Sequence, residues 1–132
     1  MMQKSRGLTL VELMVVVAVL AIVATIGYPL YTDQVQKSRR YDAQGALLNL
    51  GNQLEQHRAM QPNVGYTGFV LSDFSDLSDR LSNHYNFAVT LGTTTYDLTA
   101  TPVSGASQAG DRCGTLTVDE QGQTSPGDNC WK

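Results

Sequence analysis

Apolar residues crowd into the first quarter of the chain, and from Leu13 to Ile26 only Thr25 is polar. An apolar stretch from Leu8 to Tyr28 holds 21 residues. As a helix rising ~1.5 Å per residue it spans about 31 Å, close to the thickness of the bilayer hydrocarbon. The pattern predicts a membrane-spanning helix. Ahead of it, Met1 to Gly7 carries Lys4 and Arg6, which favours a cytoplasmic start and an outward remainder. The contrast is shallow, because Lys37, Arg39 and Arg40 lie beyond the span, partly offset by Asp33 and Asp42. A secretory signal peptide shares the basic start and apolar core, but it fits poorly. Its best small-x-small site, Thr25-Ile26-Gly27, runs into Tyr28-Pro29, and Glu12 stands inside the apolar run.

Pro29 removes an amide donor and disfavours helical geometry at Tyr28, so a kink or loosening is expected there, eased by Gly27. Beyond it Leu30, Tyr31, Val35, Tyr41, Ala43, Ala46, Leu47, Leu50 and Leu54 recur mostly every three or four positions. That is the period of an amphipathic helix. The helix is expected to reach about Met60, with this stripe on a globular head and Asp33, Lys37, Arg40, Gln44 and Glu55 available to solvent or neighbours. Gln61-Pro62-Asn63 signals its end, and Gly65 and Gly68 mark a loop.

Further on the period changes to two. Tyr85, Phe87, Val89 and Leu91 alternate with Asn86, Ala88 and Thr90, and Tyr96, Leu98 and Ala100 repeat the pattern after a short turn at Gly92 to Thr95, so a β-hairpin is predicted. A third strand is read over Cys113 to Val118, after a Gly- and Ser-rich connection from Ser104 to Gly110, with a turn at Asp119 to Gly122. The fold class is α+β: a long N-terminal helix, half transmembrane and half amphipathic, on a small antiparallel sheet of three or four strands.

The 132 residues leave room for one modest domain. Net charge is -3; without Lys4 and Arg6, 7 basic side chains face 12 acidic ones, a sum of -5. That argues against steering to nucleic acid by the whole surface. Lys37, Arg39 and Arg40 are read as a solvated face or as subunit contacts, and nucleic acid is not an expected partner. Asp73, Asp76 and Asp79 fall at every third residue, whereas a calcium loop needs alternate ligands and a distal Glu. A surface segment with a short helical turn is expected there. No nucleophile motif, phosphate loop or metal-ligand pair joins the Ser, His and acidic residues, so neither an enzyme nor a cofactor or metal is expected; His57 is placed on a helix surface. Cys113 and Cys130 suit one disulfide in an oxidising compartment. A metal site is the competing reading, with no CxxC and with His57 and His84 far off in sequence.

Glu12 needs a reason, since an ionised carboxylate in a lipid-embedded segment costs several kcal/mol. It lies four residues past Leu8, about 6 Å along a helix, and could reach headgroups at the membrane edge. Alternatively, a cut between Gly7 and Leu8 would create a free α-amino group near Glu12 of the same or a neighbouring subunit. That ion pair could set the register of helices packed side by side.

The run Gly7-Leu8-Thr9-Leu10-Val11-Glu12-Leu13, its apolar continuation and Pro29 resemble the prepilin leader of type IV pilins and type II secretion pseudopilins. Counted from Leu8, Thr is second, Glu fifth and Pro twenty-second, as in that family. Leu8 stands where the family usually has Phe, and Ala21 where it commonly has Gly. The resemblance implies cleavage after Gly7 by a prepilin peptidase, N-methylation of Leu8, and assembly guided by Thr9 and Glu12. Tyr96-Asp97-Leu98-Thr99-Ala100-Thr101-Pro102, Cys113-Gly114 and Cys130-Trp131-Lys132 resemble the PilE type of minor pilin, in which a disulfide bounds a C-terminal surface loop.

The resemblance further implies a leader over 1–7, a transmembrane and filament-core helix over 8–28, and a pilin head over 29–132 that includes the half-helix 29–60. The implied partners are the prepilin peptidase, other major and minor pilins through N-terminal helix packing, the inner membrane and the pilus assembly platform. The implied location is the inner membrane with the head in the periplasm, then an extracellular filament. Two alternatives remain: a type II secretion pseudopilin, and a membrane-tethered binding module that does not polymerise.

Overall fold

The computed structural model describes residues 7–70, 81–127 and 129–132. Its first element is the helix α1, Leu10–Met60, and after it come four strands, β1 (Tyr85–Leu91), β2 (Tyr96–Pro102), β3 (Leu116–Asp119) and β4 (Thr124–Ser125). The 3-10 turn Ser107–Gly110 lies between β2 and β3. Two compact units share α1, one ending at Gln34 and the other beginning at Val35.

In the first unit the helical run passes through Pro29 without a break. Every residue from Gly7 to Tyr31 is exposed in the single chain. An apolar helix with no buried face needs lipid or other helices around it. Two threonines return their hydroxyls to the helix, Thr25 to the Ile22 carbonyl (2.7 Å) and Thr32 to the Tyr28 carbonyl (3.1 Å). Leu30 and Tyr31, expected to rest on the head, are 68% and 70% exposed. The three-to-four period continues back into the apolar span, so periodicity alone does not say where the sheet-facing stretch begins.

In the second unit the strands form an antiparallel meander in the order β1-β2-β3-β4. Tyr85 pairs with Pro102 and Leu91 with Tyr96 around the Gly92–Thr95 loop, where the Gly92 N–H donates to the Thr95 carbonyl (2.8 Å). β3 begins at Leu116, not at Cys113, because Gly114 takes a positive φ of 58° and breaks the extended run. Ala43, Ala46, Leu47, Leu50 and Leu54 of α1 are fully buried with Leu98, Ala100 and Leu116 of the sheet. Fully burying a leucine contributes about 1.5–3 kcal/mol. This side-by-side burial of two apolar faces is the main stabilising term.

Gly51 lies on the buried stripe, where a Cβ would stand 3.2 Å from the Tyr96 hydroxyl. The Tyr96 hydroxyl therefore occupies space that a side chain at position 51 would need. Tyr66, from the loop after α1, closes the end of the core, its ring edge-on to Tyr96 at 4.9 Å between centroids. The loop is held by Gly65, whose φ is +67° and whose added Cβ would lie 2.0 Å from the Thr93 carbonyl oxygen. Gly65→Ala is expected to destabilise the head by about 3 kcal/mol, from left-handed strain plus forced displacement of the hairpin tip. Thermal unfolding of the full chain in detergent measures it.

The expected segment around Asp73, Asp76 and Asp79 lies outside the described residues.

Candidate assembly site and head anchor

At its start α1 is capped by a side chain the sequence provides. Thr9 precedes the first helical residue, and its hydroxyl accepts the Glu12 N–H at 3.2 Å, while the Thr9 carbonyl accepts from Leu13 N (3.2 Å). Thr9-Leu10-Val11-Glu12 follows the capping-box pattern, a hydroxyl residue with Glu three positions on. The signal for this cap is in the sequence, but the charge of Glu12 in an apolar run masks it. The same geometry sets Glu12 in the first turn, where the exposed N–H groups of the helix favour negative charge. Among the described residues its carboxylate has no partner. Gly7 and Leu8 lie just ahead of the helix, both exposed.

At the other end of the chain, Cys113 and Cys130 form a disulfide with Cα atoms 5.8 Å apart, which settles the metal alternative for these two sulfurs. The two cysteines are 17 residues apart in sequence, and closing a loop of that length contributes about 3 kcal/mol in the chain-entropy model. The tail has a second fastening. The Gln44 side chain donates to the Cys130 carbonyl (2.5 Å) and accepts from Lys132 N (3.1 Å), and the Trp131 indole donates to the Ser125 carbonyl (3.2 Å).

Two outward expectations are corrected here. Gln44 is buried, and Arg40 is 3% exposed. Arg40 pairs with Asp111, itself 8% exposed. Asp111 also accepts from the Tyr85 hydroxyl (3.3 Å), from Gln108 Nε2 (3.1 Å) and from Cys113 N (3.3 Å). Gln108 Nε2 lies 2.8 Å from the Tyr85 hydroxyl and 3.0 Å from the Gln36 carbonyl. Arg39 reaches the Ser107 hydroxyl, and Gln36 donates to the Ser107 carbonyl (2.7 Å). The polar positions of α1 therefore seize the β2–β3 connection and the tail. Burial of a charge is tolerated because it is paired and hydrogen-bonded. Lys37 remains exposed, its ammonium 5.8 Å from the Tyr41 ring centre, as is that of Lys132. His57 is half-buried, edge-on to Phe69 at 5.8 Å.

Burial pushes the Tyr85 hydroxyl up to about 12, with Asp111 adding and Gln108 opposing. It likewise pushes Tyr96 to about 12, with Glu55 next in effect. Both tyrosines hold their protons more tightly folded than unfolded, so their contribution is full below pH 10 and is lost as pH rises from about 10 to 12. The head is expected to lose stability across that window, and Tyr85→Phe to flatten the loss. Denaturant unfolding at stepped alkaline pH reads it.

A helix whose first half is apolar and exposed, whose second half packs on a four-stranded antiparallel sheet, and whose tail is closed by a disulfide is the architecture of a type IV pilin. A solved type IV pilin from Shewanella oneidensis superposes with a TM-score of 0.58 at 28% identity, over 74% of this chain and 98% of that one. The chain belongs to the family described as type IV minor pilin ComP, DNA uptake sequence receptor, whose model matches residues 29–117. Residues 2–28 match the prokaryotic N-terminal methylation motif. The chain is also 47% identical over 38 residues to the fimbrial protein EcpB of Eikenella corrodens, which is 29% of this chain and 24% of that protein. It is 46% identical over 41 residues to the prepilin peptidase-dependent protein D of Escherichia coli strain K12, 31% of this chain and 28% of that protein. The chain thus aligns with about a quarter of the length of these curated relatives. It is a structural subunit, not an enzyme, and its apolar N-terminal helix suits membrane anchoring before entry into a pilus.

Proposed function

We propose that the chain is made as a precursor in the inner membrane, cut after Gly7 by a prepilin peptidase, N-methylated on Leu8, and drawn by the assembly platform into a filament with its head outermost. The observation that carries this reading is the methylation-motif match over residues 2–28 joined to a Thr9-capped helix that keeps Glu12 in its first turn. Cutting at Gly7 leaves a positive α-amino group on Leu8. In an apolar filament core that charge and the Glu12 carboxylate of an adjacent subunit attract strongly, fixing the axial register. Pro29, which cannot donate to the Thr25 carbonyl, gives the helix a place to bend as it leaves the membrane.

The test is mass spectrometry of sheared filaments, reporting the N-terminal form and the copy number against other pilins. A methylated Leu8 terminus in filaments at low copy number is the expected result; a full-length chain confined to the inner membrane refutes the reading. Gly7→Val is expected to leave the precursor uncut, seen as a mass greater by the leader.

The description of the family favours a second role for the head, capture of DNA. Lys37 and Lys132 beside Tyr41, with exposed Arg112, offer contacts to phosphate oxygens. Retention of duplex DNA by the full chain in detergent, falling steeply with salt, supports this role, and no retention at low salt excludes it.

A further inference from the structure

Where α1 meets the β3–β4 turn, the surface of the head carries a groove of about 320 Å³. Leu48, 49% exposed, forms an apolar wall, and Gly51 opens the floor to Tyr96. Carboxylates from three segments converge on it: Glu55 from α1, Asp119 from the end of β3, and Glu120 from the turn.

We propose that this groove holds a lysine or arginine side chain from the head of a different pilin, the neighbour of this chain in the filament. This rests on the filament-subunit reading and names its partner.

The rim is held in place from within. Glu55 Oε1 accepts from the Tyr66 hydroxyl (2.8 Å), Asp119 Oδ1 from Gln121 N (3.0 Å) and Gln123 N (2.8 Å), and Glu120 Oε2 from Tyr96 N (3.4 Å). All of these donors are neutral, so they orient the carboxylates without cancelling them; Arg58, beyond Tyr66, offsets part of the Glu55 charge. Among the described residues that line the groove none is Lys or Arg. The negative charge is felt at the floor: burial is the main cause that holds the proton on the Tyr96 hydroxyl, and Glu55, Tyr66, Asp119 and Glu120 add to it.

Such a rim repels a phosphate or an anionic headgroup. Among the described residues no three His, Cys, Asp or Glu side chains are placed to hold a metal ion together. An apolar wall leading to an acidic rim is complemented by a cation on an apolar stem, which is the form of a lysine or arginine side chain.

The exposed apolar residues from Gly7 to Tyr31 need other helices around them in a filament. For a chain at low copy number those helices belong to subunits of another kind, and their heads are what the groove meets. Complementary charge selects among partners more than it adds affinity. That suits a subunit which must take its place among other pilins.

The test places photoreactive p-benzoyl-phenylalanine at Gln121, an exposed residue lining the groove, in the full chain and irradiates sheared filaments. The expected product is this chain joined to a different pilin, through a peptide of that pilin's head containing lysine or arginine. Glu120→Lys should lower its yield about tenfold or more, because like charges across an interface oppose docking, and changing the lysine or arginine of the cross-linked peptide to Glu should restore it. Glu120→Gln, which keeps an acceptor for Tyr96 N, should lower the yield by less. A chain present in filaments but cross-linked to a second copy of itself, to a protein that is not a pilin or to nothing overturns the proposal alone, as does a yield indifferent to Glu120→Lys or not restored by the reversal. A chain absent from filaments overturns the filament-subunit reading with it.

Discussion

Asp111→Ala is expected to destabilise the head by about 3–5 kcal/mol, the cost of leaving a buried charge without its partner. Arg40 forms its side-chain hydrogen bond through Nη1 to Asp111, and its Nε is buried without an acceptor among the described residues. Removing the carboxylate strands the guanidinium and also frees the Tyr85 hydroxyl and the Cys113 amide. Arg40→Ala is expected to cost less, because Asp111 keeps Tyr85, Gln108 and Cys113 as donors. The order of the two variants is the discriminating result. For a head of this size the melting temperature in detergent should fall by roughly 15 °C or more for Asp111→Ala. If Arg40→Ala falls further, the network does not work as described. Arg40→Met combined with Asp111→Leu should recover part of the loss, since an apolar pair of similar volume removes both charges together.

The same cluster marks where sequence reasoning ran out. Leu47, Leu50 and Leu54 announce their burial through helical spacing, and Tyr85, Leu98 and Leu116 through alternation, because burial there follows from the period of the element that carries each residue. Arg40 and Gln44 lie on the same helical face, but their chemistry reads as outward. Their partners, Asp111 and the Cys130 carbonyl, stand 71 and 86 residues away, and no local pattern relates them. Tyr66 and Gln108 are likewise buried from irregular segments, where no period exists to read. The disulfide was expected from the cysteine count, and the structure adds the Gln44 clasp beside it. At the N-terminus the signal is local, since Thr9 and Glu12 spell a capping box within four residues. The cap gives Glu12 a local role in starting the helix as well as its proposed role between subunits.

Glu12→Gln separates those two roles and is expected to abolish most filament incorporation while leaving leader cleavage and the helix start intact. The Thr9 hydroxyl bonds the backbone N–H of residue 12, not its side chain, and Gln serves the capping-box pattern as well as Glu does. What Gln lacks is the charge. Without it the α-amino group of Leu8 enters the apolar core unpaired, and truncating one member of a buried pair costs about 2–5 kcal/mol, enough to lower the share of the chain found in filaments about tenfold or more. Glu12→Ala loses the charge and also the side chain that fits the capping-box pattern, while keeping the backbone N–H that Thr9 accepts, and should do no worse than Gln if the charge is what matters. The measurement is the ratio of this chain to the other pilins in sheared filaments, with the mass of the membrane-bound pool confirming the cut after Gly7. Normal incorporation of the Gln variant with failure of the Ala variant would assign Glu12 to the cap, and the ion pair between subunits would have to be abandoned. Asp at position 12 sharpens the test further: it keeps the charge on a shorter side chain, so partial incorporation of Glu12→Asp beside near-absence of Glu12→Gln is what a distance-sensitive ion pair in a low-dielectric core requires.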